Sequence, residues 1–181
     1  MPEEHDHPRP AHLVQFVAAL PEAEHALDLG CGDGRLTAKL RARSVTASDV
    51  SSVAVRRAAR RLPDAEVVLV APDEPLPFVD GEFELVLCAE TIEHVRDVQL
   101  FLSEVRRVLR PGGGLALTTP AHSRLSGLRV LVSGFESEFD PLSPHLRFFT
   151  RRSLRRLLDA MGFDVSSMRR RSGTLLVMAR R

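Results

Sequence analysis

Residues 26–34 read Ala-Leu-Asp-Leu-Gly-Cys-Gly-Asp-Gly, and this peptide constrains the fold more than any other stretch of the 181-residue chain. An apolar run (Ala26, Leu27, Leu29) enters a turn with glycines at 30, 32 and 34. The spacing of Leu36, Ala38 and Leu40 then predicts an amphipathic helix over about 33–42. Strand, glycine turn and helix in that order bring backbone N–H groups against a nucleotide. On this reading Gly30 and Gly32 allow the tight turn, and Gly34 opens the helix where a side chain would crowd a ligand. Asp49 follows Asp28 by 21 residues, at the end of the next apolar stretch, where a carboxylate accepts hydrogen bonds from ribose hydroxyls. The third glycine comes one residue earlier than in the G-x-G-x-x-G of dinucleotide folds, which argues against a nicotinamide cofactor.

The rest of the chain alternates strands and helices. A short helix is predicted over 11–20, stopped by Pro21. Strands are predicted at about 25–29, 44–49, 66–70, 84–88 and 115–119, with helices at about 51–61, 97–109 and 151–161. Ser51 or Ser52 and Thr150 suit N-caps, and Pro111-Gly112-Gly113 is expected to stop the helix at about 97–109. Phe163–Arg169 and Thr174–Ala179, joined by Arg171-Ser172-Gly173, are expected to form an antiparallel hairpin. The alternation predicts a mostly parallel sheet with helices on both faces, in one domain over residues 10–181. Residues 1–9 read as a disordered tail with solvated His5 and His7. Residues 120–149 have no clear period and are long for a connection, so they read as a functional lid, with a short amphipathic helix at Leu128–Val132 folded over the site.

Hydrophobic residues make up 44% of the chain, no apolar run reaches membrane-spanning length, and no secretory leader is evident, which predicts a cytoplasmic protein with no transmembrane segment. Cys31 and Cys88 form neither a metal-ligand spacing nor a disulfide framework and read as small buried residues. The net charge of +1 hides segregation: residues 64–93 hold nine acids and no Lys or Arg, whereas 147–181 hold ten Arg and two Asp. Arg151, Arg152, Arg155 and Arg156 lie opposite Leu154, Leu157 and Leu158, as on a solvated helix face. The absence of Tyr and Trp weakens an RNA-stacking reading, and neither DNA nor RNA is expected as a partner.

The G-x-G-x-G turn preceded by Asp28 resembles motif I of class I S-adenosylmethionine (SAM) methyltransferases. Three further segments are similar to the type 11 family. They are Leu76-Pro77-Phe78-Val79-Asp80-Gly81-Glu82-Phe83-Glu84-Leu85-Val86, with Glu84 in place of the usual Asp; Phe101 to Gly113; and Phe148-Phe149-Thr150-Arg151-Arg152-Ser153-Leu154. The resemblance implies a three-layer α/β sandwich with a seven-stranded sheet of order 3-2-1-4-5-7-6 and an antiparallel strand from the C-terminal hairpin. It implies SAM as methyl donor and S-adenosylhomocysteine as product. By the same resemblance Asp28, Gly30, Cys31, Gly32 and Gly34 would face the amino-acid and ribose parts of SAM. Asp49 would take the ribose hydroxyls, Val50 would pack beside the adenine, and Cys88, Ala89 and Glu90 would lie next to the sulfonium. The family's adenine-binding acid falls in register on Pro72, which has no acceptor; Asp73, one residue on, is a substitute if the loop shifts, and otherwise a solvated loop acid.

Methyl transfer is an in-line displacement with an activated leaving group, so the protein must align the reactants and exclude water, and a general base is optional. The candidate bases are Glu90, His94, His122 and His145, with His145, His122 and Glu90 placed nearest the chemistry. The acceptor itself is not legible; a small, partly apolar molecule methylated on oxygen is expected. Glu90-Thr-Ile-Glu93-His94, with His145 brought over by the lid, also resembles the metal set of RNA 3′-terminal 2′-O-methyltransferases, though the lid lacks their further sequence. No metal is the primary expectation. A metal-dependent RNA 2′-O-methyltransferase using Glu90, Glu93, His94 and His145 is the alternative, and a non-catalytic SAM-binding module is a third.

Overall fold

A computed structural model describes residues 9–122 and 145–181; the expected N-terminal tail except Arg9, and most of the expected lid, including Leu128–Val132, lie outside the described residues. The elements in chain order are α1 (Ala11–Ala18), β1 (Ala23–Leu29), a 3₁₀ turn (Thr37–Lys39), β2 (Ala42–Asp49), α2 (Ser52–Arg61), β3 (Glu66–Leu69), β4 (Phe83–Ala89), a second 3₁₀ turn (Ile92–His94), α3 (Val98–Val108), β5 (Leu109–Pro120), α4 (Arg151–Ala160), β6 (Asp164–Arg171) and β7 (Thr174–Arg180). The seven strands form one sheet in the order β3-β2-β1-β4-β5-β7-β6, as the resemblance implies. Strands β1 to β5 pair in parallel, and β7 pairs antiparallel with both β5 and β6.

The central strands carry apolar runs because both faces of the sheet are covered. In β4, Phe83, Val86 and Cys88 join a core with Leu102 and Val105 of α3 and Leu154 and Leu158 of α4. Leu85 and Leu87 face the other side, with Leu13 and Val17 of α1. Burying each such side chain is worth about 1.5–3 kcal/mol, which is why this order persists without help from local propensity.

Local chemistry sets the helix ends. Ser51 caps α2 by accepting from Ala54 N–H, Asp97 caps α3 by accepting from Gln99 and Leu100 N–H, and Thr150 forms a capping box with Ser153 at α4. The closing hairpin turns on two residues, Ser172 (φ 47°) and Gly173 (φ 83°), the paired positive φ values of a type I′ turn.

Two sequence expectations fail. The helix predicted over 33–42 is only the 3₁₀ turn Thr37–Lys39. Just residues 30–41 separate β1 from β2, near the minimum for a crossover, so one tight turn is all the chain can fit while Leu36 reaches the core. Pro111-Gly112-Gly113 does not separate α3 from a later strand. β5 starts at Leu109, fully buried, directly after α3, and the glycines lie inside it where the register with β4 shifts. A Cβ on Gly113 would stand 2.9 Å from Arg110 O and 3.1 Å from Glu84 O, so glycine is needed at this bulge.

Candidate active site

At the carboxyl ends of β1, β2 and β4 opens a cavity of about 350 Å³, the position at which ligands bind in open α/β sheets. Its wall is made by Leu29 and Gly30, by Asp49 and Val50 after β2, by residues 70–74 and Leu76 after β3, by Glu90, Thr91 and His94 after β4, and by the start of α3.

The glycine turn is held from two sides. Gly30 and Cys31 N–H both donate to Ser48 O (2.8 and 2.9 Å), and Gly32 N–H donates to Asp49 Oδ2 (2.9 Å). Asp49 Oδ1 accepts from Ser51 N–H (2.8 Å), so one carboxylate ties the turn to the cap of α2 and still borders the cavity. Gly30 has φ 85°, and a Cβ there would meet Thr91 Oγ1 at 2.4 Å. Gly34 sits at φ 78°, and a Cβ there would meet Leu62 Cδ1 at 2.8 Å, so this glycine also serves the packing of α2.

Of the other expected cofactor residues, Val50, Asp73 and Glu90 line the cavity, whereas Asp28, Cys31, Gly32, Gly34, Cys88 and Ala89 do not. Val50 is 58% exposed, an apolar side chain left facing the opening. Cys31 and Cys88 are free thiols buried in apolar clusters, as the bland reading of the sequence holds. Asp28 sits behind the turn, 1% exposed, accepting from Thr37 Oγ1 at 2.6 Å, while its Oδ1 has no hydrogen-bond partner. Burial, with a smaller push from Asp49, raises its carboxyl to about 7.

The loop after β3 shows why the Leu-Pro-Phe segment has its sequence. Arg107 of α3 donates to Leu76 O (2.9 Å), Phe78 O (2.8 Å) and the Asp80 carboxylate (2.8 Å), while Glu104 accepts from Leu76 N–H (2.7 Å) and pairs with Arg107. The clamp fixes the wall carrying Pro72 and Asp73. Asp73 is not a free loop acid: at φ 56° it pairs with Arg96 Nη2 (2.7 Å), and both residues border the cavity.

Beyond β4 the chain bends at Glu90, whose φ of 52° is uncommon for a residue with a side chain. Its carboxylate accepts from Thr118 Oγ1 (2.8 Å) and burial raises its pKa. Glu93 is 1% exposed, its Oε2 accepts from Thr119 Oγ1 (3.0 Å), and burial lifts its carboxyl to about 7. The His94 and His145 rings lie 4.9 Å apart, and the His122 ring meets Phe148 edge-on at 5.0 Å. Burial, then the charges of His94 and His122, push His145 below the usual imidazole value. Of the four residues in the alternative, RNA-type metal set, Glu93, His94 and His145 are gathered, while the Glu90 carboxylate turns to Thr118.

The donor set suits a cationic nucleoside. Asp49, Asp73, Glu74 and Glu90 line one cavity, an unpartnered Asp28 oxygen lies behind its floor, and Val50, Val70, Leu76, Leu100 and Phe101 supply apolar wall. Part of the acid-only stretch seen in the sequence thus ends up around this opening. Thr37, Thr91, Arg96, Thr118 and Thr119, which hold or border the site, carry no recognisable spacing in the sequence.

Comparison with known proteins agrees with this geometry. Residues 27–117, half the chain, match the methyltransferase domain family. A malonyl-[acyl-carrier protein] O-methyltransferase of Enterobacter lignolyticus is 33% identical over 144 residues, covering 77% of this chain and 55% of that protein. A 2-methyl-6-phytyl-1,4-hydroquinone methyltransferase of a Synechocystis strain is 31% identical over 145 residues, covering 77% of this chain and 41% of that protein. The chain thus spans about half the length of these relatives or less. A crystal structure of a SAM-dependent methyltransferase from Methanosarcina mazei is similar with TM-score 0.70 and 26% identity, covering 90% of this chain and 94% of that one. The chain belongs to the methyltransferase domain family, whose methyl donor is SAM.

Proposed function

We propose that this chain transfers a methyl group from SAM to a small, partly apolar acceptor, on oxygen. The observation that carries the reading is the single cavity wall shared by Gly30, Asp49 and Glu90: a glycine turn, a sugar-binding carboxylate and an acid at the end of the central strand. When bound, SAM supplies a methyl group on an activated leaving group. Asp49 accepts the ribose hydroxyls with lone pairs its two backbone bonds leave free. Val50, Leu100 and Phe101 hold the adenine face by apolar contact, and Asp73, fixed by Arg96, offers a carboxylate next to the place Pro72 leaves without an acceptor. Cys31, Gly32 and Gly34 shape the turn, with the Asp28 carboxyl buried beneath it.

Glu90 borders the cavity and is oriented by Thr118, so it is the group proposed to accept the acceptor's proton. His122 and His145 stand on the acceptor side with Phe148, which with Leu146 leaves exposed apolar surface beside them. Of the two relatives' names, the phytyl hydroquinone favours an acceptor with an apolar portion and the O-methyltransferase of a malonyl carrier favours oxygen.

Calorimetry with SAM and S-adenosylhomocysteine, followed by labelled-methyl transfer to hydroxylated and carboxylated acceptors of graded hydrophobicity, tests the reading. Binding of both ligands with turnover on an oxygen acceptor supports it. Binding without turnover on any acceptor favours a SAM-binding module, and no binding overturns it.

A further inference from the structure

Leu146 and Arg147 N–H both donate to Glu93 O (2.8 and 3.1 Å), and the Arg147 guanidinium donates to Val95 O (3.1 Å) and to Arg96 O. These bonds fasten the segment that returns at residue 145 onto the turn after β4, and they set the His145 ring beside His94. Glu93 lies next to both rings with a side chain 2% exposed; Thr119 holds its Oε2, and its Oε1 has no hydrogen-bond partner among the described residues. Oε1 stands 4.0 Å from His94 Nε2, and one ligand atom from each of Glu93, His94 and His145 falls within 4.8 Å of the others. A carboxylate oxygen withdrawn from water and given no donor is costly unless a proton or a cation meets it, and the two imidazoles beside it make a cation the occupant that engages all three groups. Thr119 on the far oxygen is the arrangement by which an outer partner orients a ligating side chain.

We propose that Glu93, His94 and His145 bind one divalent first-row transition ion, Zn²⁺ or a congener, on the acceptor side of the cavity. One carboxylate oxygen and two imidazole nitrogens suit such an ion, whereas Mg²⁺ and Ca²⁺ call for oxygen throughout. Glu90 is not among these ligands, because its carboxylate falls outside the group of atoms that Glu93, His94 and His145 bring together. Three protein ligands leave a coordination position open, and His94 borders the cavity, so the open position faces the acceptor. In that last respect the inference rests on the methyltransferase reading: the ion would hold the acceptor through its oxygen. Binding of the ion itself does not depend on it.

The test is titration of the chelator-stripped full chain with Co²⁺, followed by its visible d–d absorption, and with Zn²⁺ by calorimetry, both without SAM. One equivalent is expected to bind with a Co²⁺ spectrum of mixed nitrogen and oxygen ligation. Glu93→Gln, nearly isosteric, and His145→Ala are each expected to weaken binding by at least about tenfold, and Thr119→Val by about tenfold. A His5→Ala/His7→Ala protein is expected to bind as before. No d–d band, binding indifferent to Glu93→Gln, or binding lost with His5 and His7 overturns the proposal. SAM titrated into the metal-free protein separates the two readings: Co²⁺ binding without SAM binding sinks the methyl-donor reading alone, and the converse sinks the metal site alone.

Discussion

The two walls of the cavity are built over different distances along the chain. The donor wall is assembled from neighbours: the turn after β1, the carboxylate at the end of β2 and the cap of α2 lie within residues 28–54 and hold one another through Ser48, Asp49 and Ser51. The acceptor wall joins residues 90–97 to residues 145–149 through bonds such as Arg147 to Val95, which close a separation of 52 residues. A local wall can be written as a motif, because its partners keep fixed spacings. A remote wall cannot, because its partners meet only after the sheet has formed.

Four variants sharpen that contrast, from the largest expected effect to the smallest. Gly30→Ala places a Cβ against Thr91 at a positive φ and is expected to cost about 2–4 kcal/mol of stability, read by denaturant melts. Adding Thr91→Ala should restore part of that loss, and no recovery would mean that the clash is not what glycine avoids. The second tests the buried acid beneath the turn. Folding raises Asp28 from its ordinary value of 3.8 to about 7, so the fold favours the neutral form. Its contribution is intact below the unfolded value and drains away as pH rises towards 7. Relative to the native chain, Asp28→Asn is therefore expected to gain about 2–3 kcal/mol between pH 5 and pH 8. A flat difference would place its folded pKa near the ordinary value.

Asp49→Ala should weaken SAM binding by about 1–3 kcal/mol in calorimetry, as ribose hydroxyls lose their acceptor. Unchanged affinity would remove Asp49 from the donor wall. On the acceptor side, Arg147→Ala is expected to leave SAM affinity within about 0.5 kcal/mol of native while lowering turnover, because it loosens only the returning segment. Equal losses in both would show that the two walls are not separable.

Much of the donor wall was legible before folding. The order Gly30, Gly32, Asp49 was readable, as was the fold, because apolar runs and caps such as Ser51 and Thr150 act over a few residues. What misled was also local. Leu36, Ala38 and Leu40 have helical spacing, yet too few residues separate β1 from β2 for a helix to form. Pro111-Gly112-Gly113 looks like a stop, yet buried Leu109 already belongs to the sheet. Cys88 lies two residues before Glu90 and by strand alternation would share its face, yet it stays in the core because β4 ends at Ala89 and the chain bends away at Glu90, φ 52°.

The pattern of apolar and turn residues therefore determined the strands, the mostly parallel sheet and the glycine turn, while the strand order came with the family resemblance those motifs carry. Only the folded chain decided that Arg107 and Glu104 clamp the cavity wall, that Asp73 is tied to Arg96, and that Glu93 and His94 meet His145. The reason is geometric. Hydrophobic periodicity encodes which face is buried, a property of each segment alone. A buried carboxylate's partners depend on which segments pack together, and no spacing along the chain records that.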